Sequence, residues 1–461
     1  MNIEFYGAAG CVTGSSHILH IKDKKVLLDC GMFQGKDEKE RSNFAFSFNP
    51  QDIDFVILSH AHIDHSGRIP ILYKQGFKGE ILCTEGTKDL CNIMLQDSGH
   101  IQEMETEWLN RKRRRKALPE VTPLYTEIDA KKSMDLFKGC AYNEWIELFD
   151  GLKIKFTDAG HILGSAITEM LINENNHTTK LVYSGDLGNI NIPILKDPTY
   201  IDNADYIIME TTYGDKLHGD VFCDLKELVN IIQDTVNRGG NIIIPSFAIG
   251  RTQEVIYALN NYVESGILKG IKVYVDSPLA SESTEVFKKY TKYFDTEALR
   301  LVNSGDNPLE FTGLTFTKSP QESMDINNIQ SGAVIISSSG MCDAGRIKHH
   351  LKHNLWRKEC SVVFVGYQAE GTLGKRILNG EELVKILGDE IAVKAHIYNL
   401  QGLSGHADKN GLLNWVKGFK NKPKNIFLVH GDEEAQESFY KMLNEEGFYS
   451  HIAKLGEDIY V

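Results

Sequence analysis

Six residues, His60-Ala61-His62-Ile63-Asp64-His65, place four metal-ligand types side by side, directly after the apolar run Asp54-Phe55-Val56-Ile57-Leu58-Ser59. While the chain is extended, alternation sends His60 and His62 to one side. A turn into a helix at Ile63 redirects Asp64 and His65 to a second point. Neutral imidazole and carboxylate are the ligands that borderline divalent ions prefer, and zinc takes four or five of them. The plainer alternative is a polar loop whose histidines only cap a helix. Four ligand types in six positions weigh against it.

One hexapeptide cannot close two metal shells, so further ligands are expected at other strand ends. His161 lies in the glycine-flanked turn Asp158-Ala159-Gly160-His161, between two β runs. Asp186 ends another strand in Tyr183-Ser184-Gly185-Asp186, where its two oxygens can bridge two ions. His430 follows Phe427-Leu428-Val429. Each alone reads equally as a buried hydrogen-bonding residue or a cap; their shared position favours a site. Two metals about 3.5–4 Å apart would activate a water and clamp the oxygens of a displacement at phosphorus. The leaving oxygen then needs a proton. His406 is the candidate donor, and Glu210 a carboxylate able to keep that imidazole protonated.

The elements that position these residues follow from periodicity. Residues 16–21 and 26–29 read as a hairpin, and 54–59, 81–84, 152–156, 165–172 and 180–184 as strands. Residues 87–116 read as one long helix. From Thr212 the texture changes: a helix over 224–238, a fully apolar strand at 241–245, a helix over 252–265, a strand at 272–275 and a helix from Ser283. Strands at 333–337 and 361–366 complete a parallel α/β set. From about Glu390 the histidine-punctuated style returns, and His396 is read as structural, on the strand leading back. This is one domain interrupted by a second and then resumed.

Composition bounds the function. The 461 residues are 42% hydrophobic and 25% charged, which fits two or three globular domains and excludes a disordered chain. No apolar run is long enough to span a bilayer, and mean hydropathy is -0.27. The start Met1-Asn2-Ile3-Glu4-Phe5 lacks a secretory pattern, and eight cysteines without a Cys-x-x-Cys pair read as reduced thiols, so a cytoplasmic protein is expected. A net charge of -13 is wrong for holding nucleic acid by a general basic field. The one dense basic run, Arg111-Lys112-Arg113-Arg114-Arg115-Lys116, must point all round a helix. It reads as a solvated helix end, with contact to a phosphate backbone as the alternative.

The motifs resemble those of a known family. Asp29, the His60–His65 run, His161 and Asp186 resemble the ordered motifs of the metallo-β-lactamase fold. Glu210, His406 and His430 match the added motifs of its β-CASP branch, whose members process RNA or DNA. The blocks Pro245–Glu254, Asp276–Ala280, Ser338–Arg346 and Gly366-Tyr367-Gln368-Ala369-Glu370-Gly371-Thr372-Leu373-Gly374 are similar to family signatures, so the resemblance covers essentially the whole chain. It implies an αββα metallo-β-lactamase sandwich (1–211 and 390–461) interrupted by a parallel α/β β-CASP insert (212–389). By the resemblance, His60, His62 and His161 hold one zinc, Asp64, His65 and His430 the second, and Asp186 bridges them. Asp29 orients ligands from behind, and Asp64, Glu210 and His406 are the catalytic groups.

What the resemblance implies is a two-zinc ribonuclease acting on single-stranded RNA, of the compact bacterial, polyadenylation-factor-like kind, with manganese as the alternative metal. It leaves a homodimer open and expects neither the amino-terminal RNA-binding domains of archaeal relatives nor the extra C-terminal domain of ribonuclease J enzymes. Arg251, Arg346 and Arg376, beside glycine-rich turns, are expected to meet phosphates, helped by backbone N–H groups around Ser338, Gly340 and Ser404. The plainer reading is that these loops only pack the domains. Three alternatives stay open: a small-substrate hydrolase, a DNA nuclease, and a non-catalytic RNA-processing subunit. A long insert and the His406/Glu210 pair argue against the first, and the complete ligand set against the last.

Overall fold

A computed structural model describes every residue except Glu370, and of Lys39 the backbone alone. Glu370, in the last of the signature blocks, therefore lies outside the described residues. The chain forms two compact units. The first holds residues 1–190, 197–217 and 406–461; the second holds 191–196 and 218–405.

The first unit is built on two seven-stranded sheets. One runs, in spatial order, Asp458–Tyr460, Asn2–Phe5, His17–Ile21, Lys24–Leu28, Phe55–Ile57, Glu80–Thr84 and Phe137–Cys140. The other runs Ser450–Ile452, Asn425–Val429, Tyr206–Glu210, His177–Tyr183, Ala166–Glu174, Leu152–Asp158 and Ile146–Phe149. Their facing side chains make one core, in which Ile3, Phe5, Leu28 and Ile57 join Ile154, Met170, Ile208 and Phe427. Full burial of each such side chain is worth about 1.5–3 kcal/mol. Strand Tyr206–Glu210 shows why its sequence is apolar throughout. Ile208 faces the inner core, while Ile207 and Met209 face outward onto Leu412, Trp415, Val416 and Phe439 of the helices Lys409–Lys417 and Glu433–Glu445. Helix Glu85–Arg114 packs on strands Glu80–Thr84 and Phe137–Cys140 of the first sheet. The layers are helix, sheet, sheet, helix, as expected.

The second unit centres on a six-stranded sheet in the order Leu314–Phe316, Lys272–Val275, Ala333–Ser337, Ile242–Pro245, Ser361–Phe364 and His396–Asn399. All its pairings are parallel. The two central strands are buried at every residue, which is why both read as uninterrupted apolar runs. Helix Val221–Asn237 begins where the Asp220 carboxylate accepts a hydrogen bond from the Cys223 amide at 2.9 Å.

Two expectations differ from the structure. The helix expected from Ser283 starts at Pro278, because Ser277 caps it (Ala280 N–H to Oγ, 3.2 Å) and proline suits the first turn. The strand His396–Asn399, expected to lead back into the first domain from 390, instead pairs with Ser361–Phe364 in the sheet of the second unit. Its half-exposed pattern is that of an edge strand, so it resembles the polar-ended strands of the first unit. The compact unit changes only between Gly405 and His406.

Candidate metal centre

The hexapeptide leaves strand Phe55–Ile57 and closes into a single helical turn, Ile63–Ser66, with His62 at its N-cap. Ser66 Oγ donates to the carbonyl of Ala61 at 2.7 Å or of His62 at 3.0 Å, which fixes the bend. Two neighbouring loops clamp the same turn from behind, through Ser15 N–H to Asp64 O at 2.8 Å and Cys30 N–H to His65 O at 2.7 Å. Gly31 makes this approach, and a Cβ there would lie 1.6 Å from Asp64 O.

Three more strand ends deliver side chains to the same place. His161 sits in the turn after Leu152–Asp158, its N–H bonded to Ser165 Oγ at 3.0 Å. Asp186 follows His177–Tyr183, and His430 follows Asn425–Val429 with φ of 47°. The left-handed conformation of His430 is one that non-glycine residues adopt where surrounding contacts enforce it. Here its N–H bonds Ala8 O at 2.6 Å.

The side chains gather into two groups. Donor atoms of His60, His62, His161 and Asp186 lie within 4.8 Å of one another, as do those of Asp64, His65 and His430. Asp186 faces both: Oδ2 is 3.5 Å from His60 Nε2, 3.3 Å from His65 Nε2 and 3.7 Å from His161 Nε2, while Oδ1 is 3.4 Å from His430 Nδ1. A third group joins Asp186 and His430 to Glu210.

The donor set fits divalent cations on three counts. Ring nitrogens converge on ring nitrogens, with His62 Nδ1 3.2 Å from His60 Nε2 and 3.1 Å from His161 Nε2, and His65 Nε2 3.1 Å from His430 Nε2. Asp186 Oδ1 is buried and accepts no hydrogen bond among the described residues. Burial, with the neighbouring histidines, also keeps His60 well below the usual imidazole range and brings His62 to about 4, so both stay in the neutral, ligating form.

Behind the cluster, Asp29 is fully buried and saturated. It accepts the His65 Nδ1 proton at 2.6 Å, the Tyr183 hydroxyl at 2.6 Å and the Ser59 hydroxyl at 2.8 Å, all at Oδ2, and Ser59 N–H at Oδ1 at 2.7 Å. Fixing Nδ1–H turns the lone pair of His65 Nε2 into the cluster. Ser59 Oγ meets His60 Nδ1 at 3.0 Å, and Thr212 Oγ1 meets His430 Nδ1 at 3.1 Å.

Glu210 ends strand Tyr206–Glu210 with a fully buried carboxylate. Oε1 accepts the Leu187 N–H at 2.5 Å and lies 3.2 Å from His406 Nδ1. The His406 side chain is 22% exposed. Burial alone would lower its proton affinity, but Glu210, then Asp186 and Asp64, outweigh that and raise it to about 9.

Sequence reasoning missed Ser59, Tyr183 and Thr212, whose hydroxyls touch ligand nitrogens or the Asp29 behind them, although Tyr183 stands three residues before Asp186. It also passed over His17, fully buried between the rings of Phe5 and Tyr183, with neither ring nitrogen hydrogen-bonded among the described residues. The six residues expected at phosphates all belong to the second unit. Arg251 is buried against Glu254, Arg346 bonds Asp276 Oδ1 at 2.7 Å, and Arg376 forks onto Glu381 at 2.6–3.0 Å. Ser338 Oγ donates to Ser277 Oγ at 3.1 Å, Gly340 lies against the Phe247 ring, and Ser404 is buried.

An αββα layering with a buried His/Asp cluster at its strand ends defines a metal-dependent hydrolase. Three family descriptions match the chain: the metallo-beta-lactamase superfamily over residues 9–245, the Beta-Casp domain over 252–377, and the Zn-dependent metallo-hydrolase RNA specificity domain over 390–454. The protein belongs to the metallo-β-lactamase superfamily, in its β-CASP ribonuclease branch. It is 36% identical to a Thermus thermophilus protein named ribonuclease TTHA0252, over the full length of both chains. It is 30% identical to the transcription termination factor FttA of Methanocaldococcus jannaschii, over 94% of this chain and 67% of that one. An RNase J-like protein of the same archaeon is 31% identical over 95% of this chain and 94% of its own. A crystal structure of an Enterococcus faecalis protein of unknown function shares the fold, with a TM-score of 0.56 at 14% identity, covering 100% of this chain and 99% of that one.

Proposed function

We propose that the protein is a zinc-dependent ribonuclease that hydrolyses phosphodiester bonds of single-stranded RNA in the cytoplasm. The observation that carries this reading is the pairing of a two-group His/Asp cluster with the His406–Glu210 dyad beside it. His60, His62 and His161 would hold one ion, Asp64, His65 and His430 a second, with Asp186 reaching both. When bound, such ions supply electrophilic stabilisation of phosphate oxygens and a water acidic enough to attack phosphorus. Histidine-rich donors favour zinc, with manganese the alternative. Locally bound cations also reconcile a net charge of -13 with a polyanionic substrate.

The residues divide the remaining work. Asp29, held by Ser59 and Tyr183, fixes the tautomer of His65. Glu210 takes the Nδ1 proton of His406 in its hydrogen bond, so His406 remains an imidazolium at neutral pH and delivers its Nε2 proton to the leaving oxygen. The names of the Thermus and archaeal relatives favour RNA over DNA. Eight free thiols agree with a reducing compartment, and among the described residues no helix is long and apolar enough to cross a membrane. Residues 212–389 would act as the substrate-holding insert and 390–461 as the returning segment that carries His406 and His430.

The test is cleavage of 5′-labelled single-stranded RNA by metal-replete protein, beside Asp64→Ala/His65→Ala and a matching DNA. RNA cutting that disappears in the variant is expected, with about two zinc equivalents per wild-type chain. Bound zinc without cleavage of either nucleic acid would instead favour a small-substrate hydrolase.

A further inference from the structure

Helix Glu85–Arg114 runs far beyond the core it helps to build. Its buried residues are Gly86, Thr87, Leu90, Cys91, Met94, Leu95 and Gly99, and after Gly99 only Asn110 is buried. The last fifteen residues, about 22 Å of helix, form a finger. The returning loop staples one side: Asn110 Nδ2 donates to Val121 O at 2.8 Å, Val121 N–H returns to Asn110 Oδ1 at 2.9 Å, and Arg113 Nε donates to Pro119 O at 2.5 Å.

The opposite side of the finger carries an ordered stripe. At 100° per residue, Ile101, Met104, Trp108, Lys112 and Arg115 fall on one face. Ile101 is 44% exposed, Met104 59% and Trp108 58%. Lys112 Nζ sits 3.2 Å from the centre of the Trp108 ring. At the tip, Arg111 is neutralised by Glu107 and Arg114 by Glu120, both exposed pairs. Lys112, Arg113, Arg115 and Lys116 have no carboxylate partner among the ion pairs of the described residues. The helix C-terminus welcomes one or two cations through its dipole, but six in succession exceed that need, in a chain of net -13.

We propose that this finger is an RNA-binding arm, in which Lys112, Arg115 and Lys116 contact phosphates and Trp108 offers a stacking surface to a base. The inference rests on the ribonuclease reading above and adds a second point of attachment, outside the cluster, for RNA long enough to reach it. Charge complementarity selects the occupant: a dense cationic tip meets a polyanion, and an exposed tryptophan beside basic groups is the arrangement that holds single strands without reading sequence.

The experiment compares wild type with Lys112→Gln/Arg115→Gln/Lys116→Gln and, separately, Trp108→Ala. It measures binding of a long single-stranded RNA across a salt series and turnover of a pentanucleotide by metal-replete protein. The triple variant should bind the long RNA roughly tenfold more weakly, with a salt slope reduced by about 2. Trp108→Ala should lose several-fold affinity with the slope unchanged, and pentanucleotide turnover should be the same in all three. All substitutions are at exposed positions, and helicity by circular dichroism confirms folding. Unchanged long-RNA affinity overturns the arm while leaving the ribonuclease reading intact; absence of cleavage in wild type overturns that reading instead. If light scattering shows the variants losing a dimer with RNA affinity unchanged, the stripe is an interface between copies and the proposal fails.

Discussion

Asp29 meets His65 on the nitrogen that points away from the cluster, at 2.6 Å, and the same carboxylate oxygen also accepts from Tyr183 and Ser59. A single buried oxygen thus ties three strand ends to the orientation of one imidazole. With φ of 58°, Asp29 itself holds a conformation that costs energy for a non-glycine residue, and the hydrogen bonds its carboxylate accepts compensate. Asp29→Asn replaces an acceptor with a group that can donate, so His65 loses its fixed tautomer. Zinc affinity, titrated against a competing chelator, should fall about 10–100-fold, while a fall of the same size in Tyr183→Phe would place the hydroxyl, not the carboxylate, in command.

His406 should govern the alkaline limb of the rate profile. Its proton affinity is raised to about 9, against the opposing effect of burial, by Glu210 first and then by Asp186 and Asp64. A donor with a raised value is protonated below it, so activity is lost as pH rises through it. Bound cations cancel the Asp186 and Asp64 contributions, which leaves Glu210 as the main support and sets the limb below 9. In Glu210→Gln the limb should move to lower pH, with zinc content unchanged. A limb that stays in place would show that another group titrates there.

Gly31→Ala should cost metal before it costs fold. The added Cβ would meet Asp64 O at 1.6 Å, displacing the turn that presents Asp64 and His65. Overpacking of this kind costs about 1–3 kcal/mol. The loss should concentrate in the second ion, so metal analysis should find one equivalent retained more tightly than the other.

In the second unit, Asp276 should set the acid stability. It is fully buried; burial would raise its proton affinity, but hydrogen bonds from His350 (2.6 Å), Ser323 (2.6 Å), Thr317 (2.5 Å) and Arg346 (2.7 Å) hold it well below the usual carboxylate range. A depressed carboxylate contributes stability above its unfolded value of about 3.9, and that contribution is lost as pH falls through the folded value. Asp276→Ala should destabilise the unit by about 3–5 kcal/mol, the range for breaking a buried ion pair, read by hydrogen exchange in the parallel sheet. Arg346→Glu sets two carboxylates against each other and should act first on this stability, before any effect on RNA.

Much of this was legible in the sequence, for identifiable reasons. The His60–His65 run, Asp186 and His430 announce themselves because each follows an apolar stretch, and His161 because it stands in a glycine-flanked turn between two β runs; strand ends are where side chains can converge. The apolar runs at 242–245 and 333–337 could only be buried parallel strands. The carboxylate partners of the arginines were not legible, because a charge in a glycine-rich turn looks free until its partner is seen, and the partner of Arg346 is 70 residues away. Ser59, Tyr183 and Thr212 carry no ligand chemistry of their own; only the fold reveals that their hydroxyls touch ligand nitrogens or the Asp29 behind them. The strand at 396–399 misled for a related cause, since an edge strand has the same polar punctuation whichever sheet it joins.

The order in which the cluster is assembled along the chain has a consequence for the protein's birth. His60, His62, His161 and Asp186 are translated early, but His406 and His430 follow the whole of the second unit, and strand Asp458–Tyr460 closes on Asn2–Phe5 only at the end, with Ile3 opposite Ile459. A chain still being made on the ribosome therefore carries six of the seven clustered side chains, but neither His406 nor His430. On the ribonuclease reading proposed above, cleavage would then wait until the segment with His406 and His430 has emerged and closed on the first strands.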